Sequence, residues 1–405
     1  MLTNKNSTHN FKAFLWHATF LAFAKNFMDV DTIIPAMIVE AGGGALHIGI
    51  MTAIMLGGSS FTQLFFAPYL SNKTYKKNYL LLGINTRIFA LFGLGILLFF
   101  LQAKHASFVI WFTFLFITLF SLAGAFANIS YTDILGKSVN PDKRKTFFSS
   151  LQIISGIIVL ASAFLVKKIL IWKAYPTNYA IMFFAGAGIL LIASGGFWAI
   201  KEVVPSKLKI KGLKSFFKVL RTELKENPKL PYFLGFINTQ GIAISFLPFV
   251  ILYAKETFGT TSSATGTFLI FKVIGIVFVS FLVLIGAKKL KYNVLLFSNV
   301  ALSLILALLA ILIHAPNLVK YIFVLGGVVY SLYTMTMSGL LLEVSGNENR
   351  ALYTGFAGAG NILPALFPLL GGSIIETFGF RIFFIIFMII ILSATFFILK
   401  IDCKR

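Results

Sequence analysis

The chain has 405 residues, of which 58% are hydrophobic, 16% aromatic and only 12% charged, and its mean hydropathy is +0.90. Soluble domains are about 45–50% apolar and about 25% charged, so a single water-facing fold is excluded and an integral membrane protein is implied. The net charge of +22 would suggest a nucleic-acid partner in a soluble chain. Here the basic residues fall in short loops between apolar runs, where they orient helices across a bilayer, and no nucleic acid is expected.

Twelve apolar runs are long enough to span, at about 14–40, 46–70, 79–101, 107–135, 147–166, 179–200, 231–253, 264–286, 293–313, 321–343, 351–375 and 381–399. They are continuous rather than alternating, which excludes barrel strands and predicts an all-α bundle of twelve transmembrane helices. Of the 35 Lys and Arg, 25 fall in the tails and loops on one side, 7 in loops on the other and three inside helices. That asymmetry predicts two cytoplasmic termini in a multi-pass protein of the cell's inner or plasma membrane. A competing reading makes Lys5, Lys12 and the apolar residues 13–24, ending Ala22-Phe23-Ala24, a cleavable signal peptide. Cleavage would leave 25–40 too short and polar to span, so an uncleaved first helix is preferred.

The first run contains "FAKNFMDVDTIIP", residues 23–35. Lys25 and Asp29 are four residues apart and, in a continuous helix, share a face and can pair. Asp31 then points elsewhere, about 200° around from Asp29. Pro35 removes the hydrogen bond to the carbonyl of residue 31 and predicts a kink beside it. In the second run Gly57 and Gly58 allow close contact with a neighbour, and Gln63 is polar. Arg87 lies in the third run, about 12 Å from its inner end, within reach of Asp133 or of an inner gate. Asn128 and Tyr131 in the fourth run and Gln152 in the fifth add uncharged polar groups.

Residues 201–230 form the longest polar stretch and split the chain six runs and six. This predicts bundles over 1–200 and 231–405 joined by a basic connector. Leu213, Phe216, Phe217, Leu220 and Leu224 recur there at helical spacing among lysines, as in an amphipathic helix lying on the inner leaflet. Beyond it the seventh run carries Asn238, Gln240 and Pro248. The eighth carries Lys272 with apolar neighbours at helical spacing. An unpaired charge near a helix centre costs about 2.5–3.5 kcal/mol on insertion scales, so Lys272 needs a carboxylate or an anionic solute. The tenth run has Tyr330, Tyr333 and Thr334. The eleventh, "GFAGAGNILPALFPLLGG" (355–372), is rich in small residues for close packing, holds Asn361, and is expected to bend at Pro364 and Pro368.

The halves echo each other. "DILGKSVNPDKRKTFFSSLQIISG" (133–156) and "EVSGNENRALYTGFAGAGNI" (343–362) each begin with an acid, Asp133 or Glu343. Each then has a polar turn and an acid-x-Arg triplet, Asp142/Arg144 or Glu348/Arg350. With the length, the run count and the basic connector, this pattern resembles the major facilitator superfamily of secondary transporters over essentially the whole chain. That family's loop after the second helix reads roughly G-x-L-a-D-R-x-G-R/K-K. Here "APYLSNKTYKKNYLLLG" (67–83) keeps the basic end as Lys76 and Lys77, while Ala67 replaces the first glycine and Ser71 the acid. Lys73, Lys76 and Lys77 are left to reach Asp133. "GAKKLKYN" (286–293) is altered in the same way.

The resemblance implies alternating-access transport of a small organic solute, with a proton, or less favourably Na⁺, as coupling ion. By family analogy the coupling acids are Asp29 or Asp31, with Lys25 beside them. The candidate solute contacts are Lys272, Asn26, Gln63, Asn128, Tyr131, Gln152, Asn238, Gln240, Tyr330, Tyr333 and Asn361. The candidate inner gate is Arg87, Asp133, Lys76, Lys77, Arg144, Glu343 and Arg350. The fifth run has only Gly156 where proton-coupled drug exporters of this superfamily often carry G-P-x-x-G-G. Export of an amphipathic or lipid-like compound is the first alternative, suggested by 46 Phe. A membrane-embedded enzyme or sensor is the second. Five scattered His and the single Cys403 offer no metal-ligand spacing, and there is no phosphate-binding glycine loop or nucleophile elbow. No metal, cofactor or enzyme activity is expected, and a monomer is. Each His is expected in a loop or at a helix end.

Overall fold

A computed structural model describes residues 3–100, 106–206, 212–286, 292–345 and 350–401. These residues are mostly helical, with no strand among them. In chain order the helices are α1 (Asn4–Lys25), α2 (Ile33–Glu40), α3 (Ala45–Ser71), α4 (Lys77–Phe100), α5 (Ala106–Ser138), α6 (Pro141–Trp172), α7 (Thr177–Ala199), α8 (Gly212–Glu226), α9 (Lys229–Gln240), α10 (Phe246–Phe258), α11 (Ser262–Gly286), α12 (Tyr292–Leu312), α13 (Val319–Ser345), α14 (Arg350–Gly360) and α15 (Ile362–Ile401). Among the described residues nine helical stretches are long and apolar enough to cross a membrane. By contacts the chain divides into two compact units, Met1–Asp29 with Phe61–Phe216, and Val30–Ser60 with Phe217–Arg405.

The first run is not one helix. α1 begins at Asn4, where the Thr3 hydroxyl accepts the Asn6 amide at 3.2 Å as an N-cap. It ends at Lys25, and a 3₁₀ turn covers Asn26–Met28. Asp29 is extended (φ −62°, ψ 124°), and helix resumes only at Ile33. Lys25 and Asp29 therefore do not lie on one continuous helical face, because the helix between them is interrupted. Pro35 sits in the first turn of α2, where no intrahelical acceptor awaits its missing N–H, and the kink expected there is a full break just upstream.

Two more runs break in the same way. A 3₁₀ stretch, Gly241–Ser245, separates α9 from α10, with Pro248 in the first turn of α10. Asn361 lies outside helix between α14 and α15, with Pro364 in the first turn of α15. Pro368 is inside α15, and a second interruption falls at Gly379 (φ 81°). At Pro35, Pro248 and Pro364 the chain breaks just before the proline, whereas Pro368 sits within helix with no break before it.

In the first unit α1 lies along α7. Gly196 allows this, since a Cβ there would strike the Ala13 carbonyl. His17 stacks on Phe197 at 3.5 Å and reaches the Ala193 carbonyl at 3.1 Å. It is buried in mid-helix rather than at a helix end as expected, because the imidazole finds both a ring and a carbonyl on α7. In the second unit α11 and α13 cross closely. A Cβ on Gly275 would strike the Val324 carbonyl, and one on Gly327 the Lys272 carbonyl. Such small-residue crossings let helices approach without a hydrophobic driving force between them. An aromatic cluster of Phe246, Phe383, Phe384 and Phe387 fills the space between α10 and α15. The connector helix α8 is shorter than the 201–230 stretch. On it Phe216 is buried and Phe217 exposed, while Leu213 lies outside the described side chains.

Candidate functional site

Three groups of charged and polar side chains stand out, one in the second unit and two in the first. In the second unit the Lys272 ammonium meets the Asp31 carboxylate at 2.5 Å, with the two side chains 6% and 13% exposed. Asp31 lies in the non-helical segment before α2, and Lys272 comes from α11 at its crossing with α13. Asp31 lies in a turn that follows the extended Asp29, which frees its carboxylate from the helical direction its sequence position implied. The Tyr330 ring lies 5.8 Å from the same ammonium, a cation–π distance. Asp31 and Lys272 were assigned separate roles from sequence, and the fold brings them together. Asp29 is partly exposed on the same segment.

Another polar candidate in this unit, Asn238, braces a helix break. The Asn238 amide donates to the Gly360 carbonyl (2.6 Å) and the Leu234 carbonyl (2.8 Å). Its oxygen accepts the Ile362 (3.1 Å) and Leu363 (2.8 Å) amides. It thereby satisfies backbone groups left over where α14 stops and α15 starts, which is a different task from the solute contact expected of it. Gln240 is fully buried and donates to Ser303 at 2.9 Å. At Gly241 a Cβ would come within 2.9 Å of the Tyr333 hydroxyl and 2.7 Å of Pro364, with the Asn361 oxygen at 3.5 Å. The missing side chain lets these three groups converge on the break in the seventh run.

In the first unit α1, α4, α5, α6 and α7 enclose a cavity of about 280 Å³. Lys25, Arg87, Asn128 and Tyr131 all line it, beside His17 and Ser155. Arg87 was expected near Asp133 or an inner gate. Instead its guanidinium carbon lies 4.1 Å from the centre of the Phe120 ring, and a Cβ on Gly124 would be 3.6 Å from its Nε. Asn26, another expected solute contact, is buried and donates to the Val159 carbonyl (2.6 Å) and Ser162 (2.8 Å), fastening the end of α1 to α6.

Asp133 is held by Lys76 and Lys137, each at 2.9 Å, and it accepts the Ser206 hydroxyl at 2.7 Å. Lys137 also pairs with Glu202 at 2.7 Å. The Glu202 carboxylate accepts the backbone amides of Lys76 (2.8 Å) and Lys77 (2.6 Å) at the start of α4, where an anion is favoured by the unpaired N–H groups. Lys77 Nζ donates to the Trp198 and Ile200 carbonyls. Lys73, the third lysine expected to reach Asp133, lies over the Tyr69 ring at 4.8 Å. Sequence reasoning missed Glu202 and Ser206; the one available signal was an acid, Glu202, within an otherwise basic stretch. On the other side of the repeat Glu343 makes a long pair with Lys229, at 3.6 Å, with both residues half-buried. The side chains of Gln63, Gln152, Asp142, Arg144 and Arg350 lie outside those described.

The sequence model of the Major Facilitator Superfamily matches residues 15–360. No curated protein sequence matches the chain. Solved structures similar to it include a mutant of the nucleoside transporter NupG, with a TM-score of 0.71 and 16% identity over 97% of this chain and 100% of that one. A POT family transporter in complex with a thioalcohol-conjugated peptide gives 0.69 and 13%, over 97% and 96%. A D-xylose-proton symporter gives 0.68 and 14%, over 96% of each. At these identities the likeness is one of fold. The family match, the helical architecture and the apolar spans lead to one conclusion: the chain belongs to the Major Facilitator Superfamily and is a multi-pass membrane transporter.

Proposed function

We propose that the protein is a secondary active transporter of a small organic solute, driven by a proton gradient and working by alternating access. The observation that carries the reading is the ion pair of Asp31 and Lys272. A charge pair held in an apolar helix crossing is stable only while both members stay ionised and together, since either one alone is costly to bury. A proton taken up by Asp31 removes the negative member and releases Lys272. That converts proton occupancy into a change of contact between a broken helix and a fixed one. Asp29, on the same non-helical segment, is the second carboxylate that takes part. Na⁺ is the less favoured ion. Both termini are assigned to the cytoplasm from the loop charges, in the inner or plasma membrane, with the protein acting as a monomer. The two bundles, 1–200 and 231–405, are assigned from the connector, although by contacts alone Val30–Ser60 groups with the second unit.

Solutes named for the similar structures, a nucleoside, D-xylose and a peptide, form the first test panel. Proteoliposomes carrying the native chain are expected to accumulate one of the panel, or the organic anions discussed below, only under an imposed proton gradient. Asp31→Asn is expected to reduce uptake to the level seen without a gradient. Full gradient-driven uptake by the Asp29→Asn/Asp31→Asn double variant would reject proton coupling at these acids. Export of an amphipathic compound is less well supported. Among the described residues that line the first-unit cavity one is a phenylalanine, Phe197, while Phe89, Phe100, Phe278 and Phe281 are exposed on helix exteriors, as expected of side chains that meet lipid.

A further inference from the structure

The cavity in the first unit has a charge property that the ion pair of the second unit does not explain. Arg87 lines it, and its Nε is buried with no hydrogen-bond partner. The guanidinium rests on the Phe120 ring, and Gly124 offers no side chain to cover it. Lys25 lines the same wall at an exposed position. Among the described residues that line the cavity there is no Asp or Glu. The acid on a neighbouring turn, Asp133, is already held by Lys76 and Lys137. A cation inside a membrane domain ordinarily has a carboxylate beside it or faces a cavity that a substrate enters, and a guanidinium is shaped to take two oxygens of one acid group at once.

We propose that this cavity binds an organic anion, its acid group seated on Arg87. The inference rests on the transport reading and names the class of solute. Asn128 and the Tyr131 hydroxyl supply neutral polar contacts on the same wall. Leu21, Leu80, Ile84, Leu151 and Val159 surround the rest of the space, so the body of the solute is apolar or aromatic. At about 280 Å³ the cavity is near the small end of ligand pockets, roughly 300–1,000 Å³, which suits a compact acid rather than a lipid.

The test uses the purified full-length protein in detergent at constant chloride, with thermal unfolding as the readout. The probes are benzoate, phenyl phosphate and neutral benzamide. Benzoate, phenyl phosphate or both are expected to raise the unfolding temperature in a saturable way, and the stronger of the two identifies the acid as carboxylate or phosphate. Benzamide is expected to give no shift. Arg87→Gln is expected to weaken the anion about tenfold or more. Should that variant not fold, Arg87→Lys, which keeps the charge but loses the fork, and Lys25→Gln at the exposed position serve in its place, each expected to weaken binding. The proposal is overturned if benzamide stabilises as well as benzoate, or if neither anion has an effect up to about 10 mM, where even a weak site fills. It is equally overturned if a folded Arg87→Gln, or both substitute variants, bind with native affinity. Gradient-driven uptake is scored separately. Arg87-dependent anion binding without any transport would leave this site standing and sink the transport reading. Gradient-driven uptake of a neutral solute by a folded Arg87→Gln protein with unchanged anion binding would do the opposite.

Discussion

Glu202 shows how much one side chain does at the start of a helix. Its carboxylate takes two backbone amides at the head of α4 and the Lys137 ammonium together, and its side chain is only 2% exposed. Removing one partner of a buried ion pair typically costs about 3–5 kcal/mol because the other charge is left unmatched. Glu202→Ala is therefore expected to destabilise the protein by roughly that amount, seen as a lowered unfolding temperature in detergent. Glu202→Gln, which still accepts the amides, is expected to cost less. Equal and negligible effects of both would show that the Lys76, Lys137 and Asp133 contacts suffice. This role was hard to read in advance. The apolar runs drew attention to charges inside helices, and an acid in a basic loop reads as ordinary solvation until its partners are known. Lys272 was easier, because the cost of a buried ammonium demands a partner whatever the fold. That the partner is Asp31 was not legible, because a helical-wheel argument takes the first run as continuous and the run is broken before α2.

The elements carry a shared rule. Pro35, Pro248 and Pro364 each occupy the first turn of the helix that follows a break. There the lost N–H has no intrahelical acceptor to miss. Proline in an apolar run was legible as a disturbance. The position of the disturbance was not, since proline alone is compatible with a kink at its own residue or a restart a few residues earlier. What decides is which side chains meet the exposed backbone, and at the α14–α15 break this is Asn238. An asparagine in an apolar helix looks the same whether it faces a solute or a broken neighbour. The two roles separate by experiment. Asn238→Leu strips partners from the Ile362 and Leu363 amides and the Gly360 carbonyl, at about 1–3 kcal/mol per unsatisfied group. A large drop in unfolding temperature is expected. An unchanged unfolding temperature combined with lost uptake would mean that Asn238 serves the solute instead.

For the whole molecule, composition and periodicity established an all-helical membrane protein, and the family match agrees. The two compact units divide within α3, a boundary no loop composition announces because it follows three-dimensional contact rather than chain order. Orientation rests on the loop charges alone, and one residue makes it testable without mutation. Cys403 is the only cysteine. In sealed right-side-out vesicles a membrane-impermeant maleimide is expected to leave it unlabelled until detergent is added. Labelling in intact vesicles would put the C-terminus outside and reverse the assignment.

The crossing of α11 and α13 also dictates which partner can travel. The Lys272 carbonyl rests against Gly327 with no room for even a methyl group, so the ammonium hangs from an immobile post. Asp31 hangs from the short non-helical strip between the 3₁₀ turn Asn26–Met28 and α2. Under the proposed mechanism, protonation of Asp31 would let the acid swing away on its own pivot while the base stays put, so the fracture in the opening helix, rather than the eighth apolar run, would be the part that moves.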